Sequence, residues 1–254
     1  MILAIDVGNT NIVLGCIEDG EIRSIVRIRT NPGETSAEYA IKLKQILEIY
    51  GIDPRGFEGA IISSVVPPLT NSLKQAVKHL TGIDSVIVGP GMRTGMNVRI
   101  DDPGTLAGDL VVGSVAAMET YGAPVIVLDM GTATTMVVID ASRAYIGGAI
   151  IPGVNLSYSA LAAGTSLLPS ISITAPKKVI ATNTVDSMRS GAVFGTAAMI
   201  DGMIDRMEAE LGEKCKVVAT GGLAQSITPH CRHELICDDD LLLKGLWILY
   251  KKNR

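Results

Sequence analysis

One pattern occurs twice in the 254-residue chain and constrains its fold more than any other feature. An apolar strand runs into Asp-x-Gly and a short turn at residues 5–10, and the same order returns at 128–133, almost half the chain further on. A second strand follows each turn, as in a β-meander. Because internal self-similarity indicates a repeated structural unit, the sequence predicts an α/β fold of two similar lobes, which we place at residues 1–121 and 122–254.

Strand and helix patterns occur in a similar order in both halves. A capping box at Thr35 and Glu38 opens the first helix, which ends at Gly51. The first half reads βββαβαβα, with strands at 2–7, 11–17, 21–29, 59–66 and 85–89, helices at 70–81 and 105–121, and a loop over 90–104. The second half predicts strands at 125–130, 134–140, 144–150 and 216–220, and helices at 154–163, 185–212 and 239–251.

Composition argues against several classes of function. The formal net charge of −4 does not suit a protein that binds nucleic acid by neutralising phosphates. We expect neither a signal peptide nor a membrane partner, because the N-terminus lacks a basic region and no run of 18 apolar residues occurs. The four cysteines form no Cys-x-x-Cys pair, which is typical of reduced thiols in a cytoplasmic protein and argues against a zinc site.

The first Asp-x-Gly turn has the residues of a phosphate site. Gly8 lets the backbone approach a ligand, and the amide groups of such a turn can point at phosphate oxygens. Asn9 and Thr10 add side-chain donors. Asp6 is a carboxylate at the end of an apolar strand, where an unpaired charge is costly. Its position is explained if it holds Mg²⁺ directly or through water. The alternative is an ordinary Asx-type hairpin turn, and the second copy of the motif favours the functional interpretation.

The second copy is richer in hydroxyl groups. Asp129 is followed by Thr132, Thr134 and Thr135, which can surround a phosphate or a cation, although threonine is also common in strands. Further on, Thr-Gly-Gly at 220–222 follows an apolar strand and allows close approach of a flat ligand such as adenine. Many turns between a strand and a helix share that last pattern, so it is weak evidence alone.

Five motifs in order make the sequence similar to the type III pantothenate kinase family over residues 2 to about 248. The motifs lie at 6–11, 63–70, 129–135, 147–153 and 220–224. The resemblance implies an actin/hexokinase/Hsp70-type fold, in which two RNase H-like lobes enclose an ATP cleft. It also implies ATP-dependent phosphorylation of pantothenate to 4'-phosphopantothenate, the first step towards coenzyme A. Implied cofactors and partners are Mg²⁺, a monovalent cation (K⁺ or NH₄⁺) and a second copy of the chain in a homodimer.

The resemblance also implies roles for individual residues. Asp129 would hold the monovalent cation, and Asp109 would be the general base. A carboxylate suits that role because it can take the hydroxyl proton while it positions the attacking oxygen. For Asp109 taken alone, the simpler interpretation is a first-turn helix carboxylate stabilised by the helix dipole. Pantothenate would contact Ala107, Gly108, Asp109 and Thr184, and ATP would contact Asp6, Val7, Gly8, Asn9, Thr10, Asn11, Ile12, Val13 and Thr132.

Two positions in the substrate segment depart from the family pattern. Leu110 stands where the family has an arginine after the base, and a leucine cannot form a charge-assisted bond to a substrate carboxylate. Ile100 stands where an aromatic residue is usual. The departures leave two alternatives open: a kinase of another small hydroxyl compound, or a non-catalytic regulatory relative. The three aspartates at 6, 109 and 129 favour catalysis.

Overall fold

A computed structural model describes residues 1–254, which form two compact units. The first unit consists of Met1–Gly95, Asp102–Ala116 and Asp240–Arg254, and the second of Met96–Asp101 and Ala117–Asp239. Both units are discontinuous in sequence, which differs from a single boundary after residue 121. The C-terminal helix groups with the first unit, because its apolar side chains pack on the first sheet; Leu243, for example, lies against Gly15.

The first unit contains a five-stranded mixed sheet. Its strands are β1 (Ile2–Val7), β2 (Asn11–Glu18), β3 (Glu21–Arg29), β4 (Gly59–Ser64) and β5 (Val86–Ile87). The spatial order is β3-β2-β1-β4-β5, in which the first three strands are antiparallel and β4 and β5 run parallel to β1. The predicted opening meander is confirmed.

Helices α1 (Ser36–Ile49), α2 (Pro67–Thr81) and α3 (Gly108–Tyr121) follow in the order that the sequence predicts. The capping box is present, since Thr35 accepts from the Glu38 backbone and donates its own backbone N–H to the Glu38 carboxylate. The prediction placed the start of α2 three residues late. Proline lacks an N–H, which suits the first turn of a helix, so Pro67 is the first residue of α2.

The second unit repeats the same sheet. Its strands are β6 (Asn97–Val98), β7 (Val125–Met130), β8 (Ala133–Ile139), β9 (Ala144–Pro152), β10 (Lys216–Thr220) and β11 (Ile236–Cys237). Five of them lie in the order β9-β8-β7-β10-β11, which matches β3-β2-β1-β4-β5 strand for strand and direction for direction. The predicted duplication is confirmed. The sixth, β6, adds to the edge at β9 and lies inside the segment predicted as a loop.

The remaining helices are α4 (Val154–Ala163), α5 (Thr184–Ser190), α6 (Thr196–Leu211), α7 (Ala224–Ile227) and α8 (Leu241–Asn253). The single helix predicted over 185–212 is interrupted by a π-helical turn at Gly191–Gly195. No helix is both long and apolar enough to cross a membrane.

Alternation along β1 decides which side chains face the core and which face the site. Leu3, Ile5 and Val7 pack with α1 and α2 in the core of the first unit. Because successive side chains of a strand point to opposite faces, Asp6 lies on the other face, the one that α8 covers. In β7 the same rule places Asp129 opposite the side chains of Leu128 and Met130, which belong to the core of the second unit.

Candidate active site

The turn between β1 and β2 is fixed by backbone hydrogen bonds. The Gly8 N–H donates to the Asn11 carbonyl (3.0 Å). Thr30, just after β3, donates from Oγ1 to the Gly8 carbonyl (2.6 Å) and from its N–H to the Thr10 carbonyl (3.0 Å). Asn9, Thr10 and Asn11 are exposed. The turn therefore presents amide and hydroxyl groups to solvent on a fixed backbone, an arrangement suited to phosphate oxygens.

Two residues of the predicted ATP segment point away from this surface. Val7 and Ile12 are buried completely in the core under α1 and α2. Successive side chains of a strand point to opposite faces, so Val7 and Ile12 face the core when Asp6 and Asn11 face away from it. Val7 and Ile12 can thus offer a ligand only their backbone groups.

Asp6 lies at the carboxyl end of β1 and is 7% exposed. Its register partners are Val13 on β2 and Ser63 on the parallel strand β4. Ser63 is fully buried, and its Oγ has no hydrogen-bond partner. A carboxylate and a hydroxyl therefore lie side by side at the carboxyl ends of two parallel strands, where open α/β sheets bind their ligands.

The start of α3 lies at the same end of the sheet. A β-carbon at Gly108 would lie 3.3 Å from Ser63 Oγ, so the helix begins directly against β4. Asp109 is in the first turn, half-buried, and its Oδ1 accepts from the Leu110 N–H (2.8 Å). Burial raises the pKa of the Asp109 carboxyl, and this backbone bond opposes the rise only in part. Ala107 and Leu110 are also half-buried.

The turn between β7 and β8 is built like the first one. The Gly131 N–H donates to the Ala133 carbonyl (3.0 Å), and the Gly153 N–H, just after β9, donates to the Thr132 carbonyl (3.2 Å). Gly153 thus occupies the place that Thr30 has in the first unit. Thr132 is exposed, as its predicted contact with ATP requires.

Asp129 is flanked by hydroxyl groups from both neighbouring strands. Its register partners are Thr135 on β8 and Thr220 on β10. Thr134 pairs instead with Met130, on the opposite face, and is buried in the core side of the sheet. Of the two threonines on β8, only Thr135 therefore shares the face of Asp129. Sequence reasoning could not separate Thr134 from Thr135 without the register, and it did not connect Thr220 with Asp129.

The remaining predicted substrate residue lies in the second unit. Thr184 is the exposed first residue of α5, and Asn183 caps the helix by accepting from the Asp186 N–H (2.9 Å). Ile100 also belongs to the second unit, whereas Leu110 belongs to the first. The structure thus gathers the 6–13 turn with 107–110 in one unit and Asp129, Thr132 and Thr184 in the other.

The donor sets on these strands fit the implied cations. Mg²⁺ and K⁺ both take oxygen ligands, and carboxylate, hydroxyl and carbonyl oxygens are the groups that surround Asp6 and Asp129. The unpartnered Ser63 Oγ beside Asp6 is a further oxygen that the protein alone does not satisfy. Both sites therefore suit hard cations.

A separate group of His, Asp and Glu side chains lies far from these residues in sequence. Ligand atoms of Asp205, Glu208 and His233 come within 4.8 Å of one another. These side chains already have partners: His233 Nε2 lies 2.8 Å from Asp205 Oδ1, and Lys214 Nζ lies 2.6 Å from Glu208 Oε2. Arg232 adds a contact to Asp205 (3.4 Å). The cluster is a salt-bridge network in which Lys214, Arg232 and His233 already contact the carboxylates, and this explains it without a metal.

Comparison with known proteins gives one consistent result. A family model described as type III pantothenate kinase matches residues 2–206. The chain is 44% identical over 253 residues to a type III pantothenate kinase of Halalkalibacterium halodurans, and the match covers 100% of both chains.

Comparison with solved structures shows similarity of fold. Component A of the (R)-2-hydroxyglutaryl-CoA dehydratase of Acidaminococcus fermentans is 16% identical with a TM-score of 0.58, covering 98% of this chain and 96% of that one. A Sinorhizobium meliloti protein assigned as a 2-dehydro-3-deoxygalactonokinase is 13% identical with a TM-score of 0.60, covering 99% and 96%. At such identities the likeness concerns the fold alone, and it confirms the predicted actin-like α/β architecture.

Proposed function

The chain belongs to the type III pantothenate kinase family, and on this premise we propose which of its residues transfer phosphate from ATP to the hydroxyl of pantothenate. That reaction yields 4'-phosphopantothenate, on the route to coenzyme A. The observation that carries the proposal is the full-length 44% identity to a relative of that name. The arrangement of Asp6, Asp109 and Asp129 on a duplicated fold supports the roles given to each.

The 6–13 turn binds the phosphates of ATP. Its exposed donors are Asn9, Thr10 and Asn11, and the hydrogen bonds from Thr30 hold its backbone in place before a ligand arrives. A preorganised site spends no free energy on ordering itself around the ligand. When bound near Asp6, Mg²⁺ neutralises charge on the phosphate oxygens.

Asp109 is the general base. Its Oδ1 accepts from the Leu110 N–H, and the carboxylate has further lone-pair positions with which to accept from the hydroxyl of pantothenate. As the hydroxyl oxygen bonds to the γ-phosphorus, its proton passes to the carboxylate, and the bond from that phosphorus to the oxygen of ADP breaks. Burial favours the protonated form of Asp109, so the carboxylate is a stronger base than one in water. Ala107 and Gly108, which directly precede Asp109, line the pantothenate site in this proposal.

Asp129 holds the monovalent cation. Its neighbours Thr135 and Thr220 bring hydroxyl oxygens to the same face of the sheet, and the adjoining turn carries the exposed Thr132. A weakly hydrated cation such as K⁺ or NH₄⁺ exchanges its water readily for such ligands. The proposal therefore includes K⁺ or NH₄⁺ as activator.

The chain forms a homodimer through its second unit. Seven of the ten exposed large hydrophobic residues lie between 146 and 180, on β9, on α4 and in the segment after it. Leu167 is 91% exposed and Ile180 85%. The concentration of exposed apolar side chains in one stretch of the chain supports an interaction site there, and a second copy is the partner that the family resemblance implies. A mass twice that of the chain in light scattering supports the dimer, and a monomer at micromolar concentration contradicts it.

An ADP-release assay tests the function directly. With ATP, Mg²⁺ and K⁺, we expect release that depends on added pantothenate and a product that carries one more phosphate. Release with another small alcohol but not with pantothenate would favour the alternative kinase suggested by Leu110 and Ile100. ATP binding with no release towards any alcohol would favour the regulatory relative. A cytoplasmic location is part of the proposal and is tested by fractionation of cells that express the protein.

A further inference from the structure

Both halves of the protein place a hydroxyl beside the aspartate of the Asp-x-Gly motif. The register partner of Asp129 on the parallel strand β10 is Thr220, and that of Asp6 on the parallel strand β4 is Ser63. Both hydroxyl-bearing side chains are buried. Because register partners on neighbouring strands point to the same face, each aspartate has a hydroxyl on its own side of the sheet, about one strand spacing away. The duplicated topology repeats this pair although the two motifs differ in sequence.

The Ser63 hydroxyl is unexplained by the protein alone. Ser63 is 0% exposed, and its Oγ has no hydrogen-bond partner. A buried hydroxyl without a partner costs free energy, so such groups are few in native proteins and call for an explanation. The start of α3 lies against it at Gly108, the residue before Asp109. The hydroxyl therefore lies between the proposed magnesium residue and the helix that carries the proposed base.

We propose that Ser63 is a positioning residue for the phosphoryl transfer: its hydroxyl donates a hydrogen bond to the Asp6 carboxylate when that carboxylate holds Mg²⁺. A carboxylate has about four lone-pair positions, so it can serve the cation and still accept from Ser63. Hydrogen bonds of this kind fix the orientation of a metal ligand. The inference rests on the proposed function, because it takes Asp6 as the magnesium residue.

The chain offers a matched control for Ser63. Ser114 on α3 is also fully buried in the first unit, and its Oγ also has no partner, but it is not a register neighbour of Asp6. Ser63→Ala and Ser114→Ala each remove one buried, unpaired hydroxyl. Neither change should lower the melting temperature of the ligand-free protein, since no hydrogen bond is lost.

The two variants should differ once magnesium is present. For Ser63→Ala, calorimetry should show the affinity for ATP with Mg²⁺ falling about 10–100-fold, with kcat reduced in the same range, as expected on losing a group that orients a metal ligand. Its affinity for ATP without Mg²⁺ should equal that of the unchanged protein. Ser114→Ala should match the unchanged protein in every measurement.

Two results would overturn the inference. One is a Ser63→Ala variant with unchanged magnesium-dependent binding and turnover. The other is an equal loss in Ser63→Ala and Ser114→Ala, which would indicate a general effect of packing. The Asp6→Asn variant distinguishes an error in the role given to Ser63 from an error in the proposed magnesium site. If Asp6→Asn loses the magnesium response while Ser63→Ala keeps it, only the role of Ser63 is wrong. If Asp6→Asn also keeps it, Asp6 is not the magnesium residue.

Discussion

Gly221 lies so close to Asp129 that a β-carbon on it would be 2.5 Å from the Asp129 Oδ1 atom. It would also be 2.6 Å from the Met130 backbone nitrogen, and Gly221 has a φ of +93°, which side-chain-bearing residues rarely adopt. The Thr-Gly-Gly motif at 220–222 thus has a definite role in this fold: Gly221 lets the chain pass beside Asp129 without displacing it.

We therefore expect Gly221→Ala to damage both stability and activity. Overpacking of this kind lowers the free energy of unfolding by about 1–3 kcal/mol, and a side chain at a positive φ lowers it by about 1–2 kcal/mol more. A thermal melt should show the loss, and a K⁺ titration of the activity should show a weaker response because Asp129 is displaced. Gly222→Ala is the control for stability, since a β-carbon there would meet nothing within 4 Å. Equal melting temperatures for the two variants would contradict this account.

Asp109→Asn should abolish most of the phosphoryl transfer and spare ATP binding. An amide cannot take the hydroxyl proton, but its oxygen can still accept from the Leu110 N–H, so the local structure is kept. Removal of a general base typically lowers the rate about 10²–10⁴-fold. The measurements are kcat and the calorimetric affinity for ATP. An unchanged kcat would show that Asp109 is not the base.

The same substitution should stabilise the protein at neutral pH. Burial raises the pKa of Asp109 in the folded state above its unfolded value. Between the two values the folded state binds more protons, so the free energy of unfolding falls as pH rises through that interval and stays lower above it. Asparagine does not titrate, so Asp109→Asn should melt higher than the unchanged protein at pH 7. The difference should vanish below the ordinary carboxyl pKa. A lower melting temperature at pH 7 would contradict the direction.

Activity should require K⁺ or NH₄⁺ and fail in Na⁺ alone. Thr135→Val removes the hydroxyl beside Asp129 while keeping the shape, and we expect the K⁺ concentration for half-activation to rise about two- to tenfold. Thr134→Val is the matched control, because Thr134 faces the other side of the sheet. Equal rates in the three salts would show that no specific monovalent cation is required. An equal rise in the half-activating K⁺ concentration in both variants would show that Thr135 does not bind the cation.

Local signals predicted most of the fold. The Asp-x-Gly repeat and the capping box at Thr35 each depend on residues close in sequence, and the strands and helix they predict are present. The sequence places the C-terminal helix with the residues after 121, whereas it groups with the first unit, because only tertiary packing places Leu243 against Gly15. The two-residue strand β6 is too short to show any periodicity.

The residues of the candidate site likewise fall into those that local sequence predicts and those that only the fold brings together. Asp6 and Asp129 could be found from sequence because each ends a strand next to a glycine turn. Ser63 lies 57 residues after Asp6, inside a motif noticed only for its resemblance, and the pairing of β1 with β4 alone makes the two neighbours. Roles that depend on register between distant strands, such as those of Ser63 and Thr220, were therefore beyond sequence reasoning.

Leu110→Arg should strengthen the binding of pantothenate. Leu110 is half-buried directly after Asp109, and its backbone N–H, which any residue supplies, already holds the Asp109 carboxylate. A guanidinium here restores the cation that the family resemblance leads us to expect for the substrate carboxylate. One charge-assisted hydrogen bond contributes about 1.5–3 kcal/mol, so KM for pantothenate should fall about ten- to a hundredfold. KM for ATP should stay nearly constant.

Leu110→Met is the control, because it keeps a flexible apolar side chain of similar size without the charge. It should leave both KM values near those of the unchanged protein. If the unchanged protein already binds pantothenate tightly and Leu110→Arg adds nothing, another cation has taken the role. Arg93 and Arg99 in the preceding segment are the candidates, and both are exposed. Arg93→Met and Arg99→Met would then identify it, since only the variant that loses the contact should raise KM for pantothenate. If neither raises it, no arginine of this segment binds the carboxylate.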